Sequence, residues 1–173
     1  KNGVYNSNID LISKEDIRKK LMIPEDAFVI GTVGRYAPSK NYNAIIEIAN
    51  IICNEYDNVY FLLCGANVSK FMTPKLIEYN LVDRIIMPGM CDNIFPFFNE
   101  MNVFLFPSFN EGQPNALIEA MILGIPIIAS NIPSILETVP SEMKSVLFDP
   151  DDIQSFVDKL KGNIEKKDIN KKI

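Results

Sequence analysis

Five short runs of almost unbroken hydrophobicity restrict this chain more than any other feature. AFVIGTV (27–33), VYFLLCG (59–65), RIIMPG (84–89), VFLFP (103–107) and PIIAS (126–130) are each five to seven residues long. A strand with one wet face alternates polar and apolar residues, whereas a strand without alternation is covered on both faces. Between the runs lie helical patterns. Ile45, Ile46, Ala49, Ile52 and Cys53 form a stripe over 43–56. A helix is expected over 70–79 with Pro74 in its early part, and a short one over 93–99. Another runs over 114–123, with Pro114 in its first turn and Gly124 after its last. A short strand over 145–148 and a final helix over 152–161 complete the pattern. Strands alternating with helices build βαβ units, so the expected fold is Rossmann-like α/β, a mainly parallel sheet with helices on both faces.

The ends read differently. Residues 2–14 lack periodicity and read as a linker, and a chain starting KNG reads as cut from a longer protein. Ser13-x-x-Asp16 suits the N-cap of a short helix to about Leu21, closed by Pro24. The basic cluster from Lys161 to Lys172 is interrupted by Glu165 and Asp168 and reads as a solvated tail. The expected division is therefore 1–25 linker and short helix, 26–163 α/β domain, 164–173 polar tail.

Composition removes several function classes. A net charge of −5 argues against a nucleic-acid partner. The sequence has no histidine, which removes Ser-His and Cys-His nucleophiles and argues against a transition-metal site. Cys53, Cys64 and Cys91 are far apart and odd in number, so free thiols in a reducing, cytoplasmic compartment are expected. No apolar run is long enough to span a bilayer, and the polar start shows no signal peptide.

In parallel sheets ligands bind beyond the carboxyl ends of the strands, beside helix N-termini. After the first strand stands GTVGRYAPSK, which lacks the dinucleotide and P-loop spacings. It offers Gly34, where the backbone can turn or approach a ligand, and two cations, Arg35 and Lys40, suited to phosphate oxygens. Read alone, these are better taken as ordinary surface cations on a loop. After VFLFP comes FNEGQPNALIEAM. Gly112 permits a turn, Pro114 opens a helix, and the free N–H groups around Asn115, Ala116 and Leu117 make an anion site. Glu111 precedes that helix and Glu119 lies in its second turn. A carboxylate among apolar neighbours is costly unless paired. Glu119 either accepts a pair of sugar hydroxyls, reaches solvent at the helix edge, or pairs with Arg35 or Lys40. Cations, a helix N-terminus and two carboxylates together suit a nucleotide-diphosphate sugar.

VGRYAPSKN (33–41), FPSFNEGQPNALIEAM (106–121) and GIPIIAS (124–130) resemble motifs of the group 1 retaining glycosyltransferases, in the C-terminal, donor-binding half of their GT-B fold. The glutamates stand in that family's E-x7-E spacing, joined to GR-x4-K. The resemblance covers nearly the whole chain and makes 26–163 a nucleotide-sugar-binding domain. It implies that Arg35 and Lys40 bind the diphosphate and give electrostatic support to the leaving nucleotide, without a metal or cofactor; no catalytic group is assigned within this chain. Glu111, Gly112, Gln113 and Pro114 would contact the transferred sugar, and backbone groups of Asn115, Ala116 and Leu117 the phosphate. Glu119 would hold the ribose, and Pro88, Gly89, Met90 and Cys91 would border the base. The implied donor is a UDP-sugar first and a GDP-sugar second. The implied acceptor is a glycan or lipid-linked glycan of cell-surface polysaccharide synthesis, such as capsule, taking a hexose-type sugar. An N-terminal acceptor-binding domain would complete the enzyme and could hold it on the inner face of the membrane, and this chain alone would be inactive. The sequence departs from the family at Gly65-Ala66-Asn67, Gln113 and Pro133-Ser134. Two other readings remain: a GT-B-like nucleotide-sugar epimerase or hydrolase, and a non-catalytic α/β binding module. A receiver module would need acids where Gly34-Arg35 stands.

Overall fold

The computed structural model describes residues 14–171. The proposed linker and the Ser13 cap lie outside the described residues, while α1 (Lys14–Lys20) forms where the short helix is expected. The strands are β1 (Phe28–Val33), β2 (Val59–Cys64), β3 (Ile85–Gly89), β4 (Val103–Phe106), β5 (Ile127–Ser130) and β6 (Leu147–Phe148). They form one parallel sheet in the order β3-β2-β1-β4-β5-β6. The other helices are α2 (Tyr42–Glu55), α3 (Val68–Glu78), α4 (Phe95–Phe98), α5 (Asn115–Ile122), α6 (Pro133–Thr138) and α7 (Ile153–Lys171).

Alternate strand residues feed two separate cores, which is why the strands are apolar throughout. Phe28, Ile30, Phe61, Leu63, Val103 and Leu105 pack under α2, α3 and α7. Val29, Leu62, Cys64, Phe104, Phe106 and Ile127 pack under α4, α5 and α6. The order of connection reverses between β1 and β4, so the loops leaving these two neighbouring strands diverge and open a crevice at their carboxyl ends.

Four expectations are corrected. Helix α3 begins at Val68, so Pro74 lies in its interior; Val68, Met72 and Leu76 make its buried stripe. Helix α6 and the 3-10 segment Ser141–Val146 stand where no element is expected, and the strand over 145–148 shortens to β6. Pro114 caps α5 rather than entering its first turn. The final helix continues to Lys171 instead of ending near Lys161, so the described part of 164–173 is helical. Ile164 continues the buried stripe of Phe156, Val157 and Leu160, and Lys167 Nζ donates to Ala27 O at 2.9 Å. Among the described residues no helix is long and apolar enough to cross a membrane.

Candidate functional site

The site is built on the loops after β1 and β4. The β1 loop is held from several sides. Gly34 N–H donates to Cys64 O at 2.9 Å, and Tyr36 N–H donates to Ala66 O at 2.9 Å. Tyr42 Oη donates to Gly34 O at 2.6 Å. Burial raises the Tyr42 hydroxyl pKa above the ordinary tyrosine range, so it remains a donor. The Tyr36 ring stacks with Tyr42 at 5.6 Å and with Phe71 at 4.5 Å. The close backbone approach falls at Gly65, where a Cβ would land on the Gly34 carbonyl oxygen. Gly34 itself faces the Lys40 side chain.

The turn Pro38–Lys40 then delivers Lys40 to the second loop. Lys40 Nζ lies 2.7 Å from Glu111 Oε1, with side-chain exposures of 20% and 7%. The same ammonium stands 4.9 Å from the Phe106 ring centre. Phe109 N–H donates to Ser39 O at 2.8 Å, so backbone and side chains both join the loops. Lys40 is thus a half-buried cation rather than a free surface one, and its partner is Glu111, not Glu119.

Arg35 is exposed and has no partner among the described residues; it lines a cleft of about 360 Å³ with Gly34, Cys64, Gly65, Ala66, Met90, Cys91 and Ile94. The expected base border is only partly assembled there. Met90 and Cys91 join Arg35 in the cleft. Pro88 also lines a groove against Ile17, Lys20 and Leu21 of the α1 region. Gly89 O accepts from Gly65 N–H at 2.8 Å, and Gly89 adopts φ 87°, where a side chain would be strained.

Ahead of α5, Gly112 and Gln113 are exposed and Pro114 is buried. Gly112 stands in open space and does not adopt positive φ, so it contributes room rather than a special turn. The Asn115 N–H donates to Gln113 O at 2.9 Å, which removes one of the three expected amides. The amides of Ala116 and Leu117 have no acceptor among the described residues, while the Leu117 side chain belongs to the core. Asn115 and Glu119, one helical turn apart, share a face, with Leu117 and Ala120 turned inward. Glu119 is half-buried, and its side chain has no hydrogen-bond or ion-pair partner among the described residues.

Three features have no role in the sequence reading. The buried hydroxyls of Ser108 and Ser130, at the carboxyl edge of β4 and β5, have no partner among the described residues. Tyr42 locks the cationic loop, a role invisible in a residue that reads as helix start. Cys91 Sγ donates to Gly89 O at 3.7 Å, and interaction between the two thiols pushes the Cys64 pKa up, helped by burial, and the Cys91 pKa down.

Comparison with known proteins identifies the family and the fold. A family described as "Glycosyl transferases group 1" matches residues 13–173. The chain is 27% identical over 175 residues to the capsular polysaccharide biosynthesis glycosyltransferase CapM of Staphylococcus aureus, covering 99% of this chain and 46% of the relative. It is 30% identical over 164 residues to an Escherichia coli UDP-Gal:alpha-D-GlcNAc-diphosphoundecaprenol alpha-1,3-galactosyltransferase, covering 92% and 42%. The fold is similar to Anabaena Alr3699/HepE, solved in complex with UDP and glucose, with a TM-score of 0.78 at 20% identity over 89% of this chain and 43% of that one. The chain spans less than half the length of the curated relatives it matches.

Proposed function

This chain belongs to the group 1 glycosyltransferase family, and we propose that it is the donor-binding half of a retaining enzyme that transfers a hexose-type sugar from a UDP-sugar to a glycan or lipid-linked acceptor. The observation that carries the reading is the contact between the two crevice loops. Lys40 after β1 and Glu111 before α5 meet at 2.7 Å, which puts a cation, a carboxylate and the start of α5 in one place.

Each group has a chemical task. Arg35 and Lys40 bind the diphosphate as charge-assisted donors, and the Ala116 and Leu117 amides add the positive end of the α5 dipole. As the glycosidic bond lengthens, negative charge grows on the departing diphosphate, and fixed cations and amides stabilise it most at that moment. This electrostatic support replaces a metal ion. Glu111, with Gly112, Gln113 and Pro114, addresses the sugar; Glu119 accepts the ribose hydroxyls; Met90 and Cys91 border the base. The acceptor-binding wall comes from an N-terminal domain. The relatives' names, which cite capsular polysaccharide biosynthesis and a diphosphoundecaprenol-linked acceptor, support an acceptor of that class.

Calorimetric titration with UDP tests the reading. Arg35→Ala and Lys40→Ala should each weaken binding by roughly 1.5–3 kcal/mol, the scale of a charged hydrogen bond; Arg35→Ala should leave thermal stability nearly unchanged, whereas Lys40→Ala strands the buried Glu111 carboxylate and should lower it. Equal affinities for wild type and both variants would remove the proposal.

A further inference from the structure

A second concavity adjoins the crevice along the loop after β1. It encloses about 470 Å³ between Tyr36, Pro38, Tyr42, Asn43 and Phe109, within the range of about 300–1,000 Å³ common to small-molecule sites. The same two loops carry it and the donor groups: Lys40 lies between Pro38 and Asn43, and Phe109 precedes Glu111 by two residues. The Phe109 ring is 44% exposed and belongs to neither core, yet its backbone is fixed, because Phe109 N–H donates to Ser39 O at 2.8 Å. Phe71, also exposed, stacks on Tyr36 at 4.5 Å, so exposed aromatic surface is clustered here rather than scattered. Two polar groups of the lining are unused. The Tyr36 ring is held by Tyr42 and Phe71, but its hydroxyl has no hydrogen-bond partner among the described residues. Lys75 Nζ donates to Asn43 Oδ1, which orients that exposed amide and leaves Nδ2 without an acceptor among the described residues. The neighbouring Tyr42 hydroxyl and Asn41 amide are already spent, on Gly34 O at 2.6 Å and Pro150 O at 3.1 Å.

We propose that this concavity is a saccharide subsite that takes one pyranose ring of the acceptor glycan, remote from the reacting hydroxyl. A pyranose has an apolar C–H face and a rim of hydroxyls. The Phe109 ring receives the C–H face. Tyr36 Oη, as donor or acceptor, and Asn43 Nδ2, as donor, meet the hydroxyls at the rim. No charged residue lines the concavity, so it suits a neutral ring rather than a phosphate. The stacking of Tyr36 and the backbone tie of Phe109 fix both walls before binding, which lowers the ordering cost. A glycan held there runs beside the Lys40–Glu111 pair, where the donor sugar would lie. The assignment of the ring to the acceptor rests on the transferase reading above; its fit to a pyranose rests on the concavity alone.

The test uses the 173-residue chain. Amide chemical shifts are followed by NMR while N,N′-diacetylchitobiose, lactose and maltose are added in turn, without UDP and then with saturating UDP. Uridine is titrated separately. At least one disaccharide should shift the amides of Tyr36, Asn43 and Phe109, equally in both conditions. Phe109→Ala keeps the backbone N–H and should raise the Kd of that disaccharide about tenfold while leaving UDP affinity unchanged. Asn43→Ala should weaken the disaccharide as well. Absence of shifts with all three sugars overturns the subsite, and so does sugar binding that UDP abolishes, which would put the sugar in the donor crevice. Uridine that shifts these amides where the sugars do not assigns the concavity to a base instead. Equal disaccharide Kd for wild type and Phe109→Ala removes the stacking face. Wild type that does not bind UDP overturns the donor reading and the acceptor assignment with it, while the sugar titration still decides the pyranose subsite.

Discussion

Lys40 and Glu111 neutralise one another across the crevice, so a diphosphate that reaches Lys40 must compete with a carboxylate 2.7 Å away. Such competition assigns different consequences to the two glutamates. Glu111→Gln removes the competitor and should bind free UDP at least as tightly as wild type, while binding of the UDP-sugar loses a hydroxyl acceptor. Glu119→Gln should weaken UDP and UDP-sugar alike if Glu119, whose side chain has no partner among the described residues, receives the ribose as proposed. Calorimetry with both ligands separates the roles, and loss of free UDP binding in Glu111→Gln would reverse them. A second residue-scale expectation concerns pH. Burial pushes the Cys53 thiol from 9.0 up to about 11. Its folded pKa is raised, so its contribution is complete below pH 9.0 and disappears as pH climbs through about 11, because the unfolded state loses its proton first. Urea unfolding across that range should show stability falling with pH, and Cys53→Ala should flatten the fall. The residue types at the crevice are readable in the sequence because spacing relative to a strand end fixes where they emerge. The Lys40–Glu111 pair and the Gly65 approach to Gly34 are not. Each joins residues from different loops, and periodicity within one segment does not say which loops touch.

Three helices end with the same geometry on different residues. At α5, Gly124 takes φ 70°, Gly124 N–H returns to Met121 O and Ile125 N–H to Ala120 O. Helix α3 repeats the pattern through Asn80 at φ 56°, and α1 through Met22 at φ 55°. Glycine and asparagine tolerate this region, whereas methionine does not, and Met22 is 85% exposed with no packing role to offset the strain. Met22→Gly should therefore raise the unfolding free energy by about 1 kcal/mol, seen as a higher urea midpoint; an unchanged or lower midpoint would show the strain to be absent. The attachment of α1 rests on another residue. Arg18 Nε donates to Glu100 Oε2 at 2.6 Å, and the Glu100 side chain is fully buried. Arg18→Met would strand that carboxylate and should cost about 3–5 kcal/mol. Strands and the longer helices are readable because two-sided burial and the 3.6-residue period leave clear patterns. Helix α6 has six residues, too few for a period to emerge. In helix α7 the lysines mask the period, although Phe156, Val157, Leu160 and Ile164 carry a stripe past Lys161.

At the scale of the whole molecule, the crevice has one wall. The loops of β1 and β4 bring together the Lys40–Glu111 pair, the exposed Arg35 and the free α5 amides. On the reading proposed above they serve a donor, and the acceptor hydroxyl is presented by a second wall. Much of the rate of group transfer comes from holding both reactants in register and from excluding water when two walls close. Ground-state affinity for the diphosphate depends on cations and amides that this chain already carries, so binding and turnover should separate. Residues 1–173 alone should bind UDP and a UDP-sugar, with Arg35 and Lys40 required, and should transfer no sugar to any acceptor. The measurement is a radiolabelled UDP-hexose incubated with the purified chain and a panel of lipid-linked glycans, followed by product extraction. An N-terminal domain supplied in the same polypeptide should then create activity without raising free UDP affinity more than modestly, since it adds the acceptor wall and closure rather than the phosphate site. Saturable transfer by the chain alone to a defined acceptor would show that donor and acceptor share this one wall, and the division of labour argued from its geometry would be wrong.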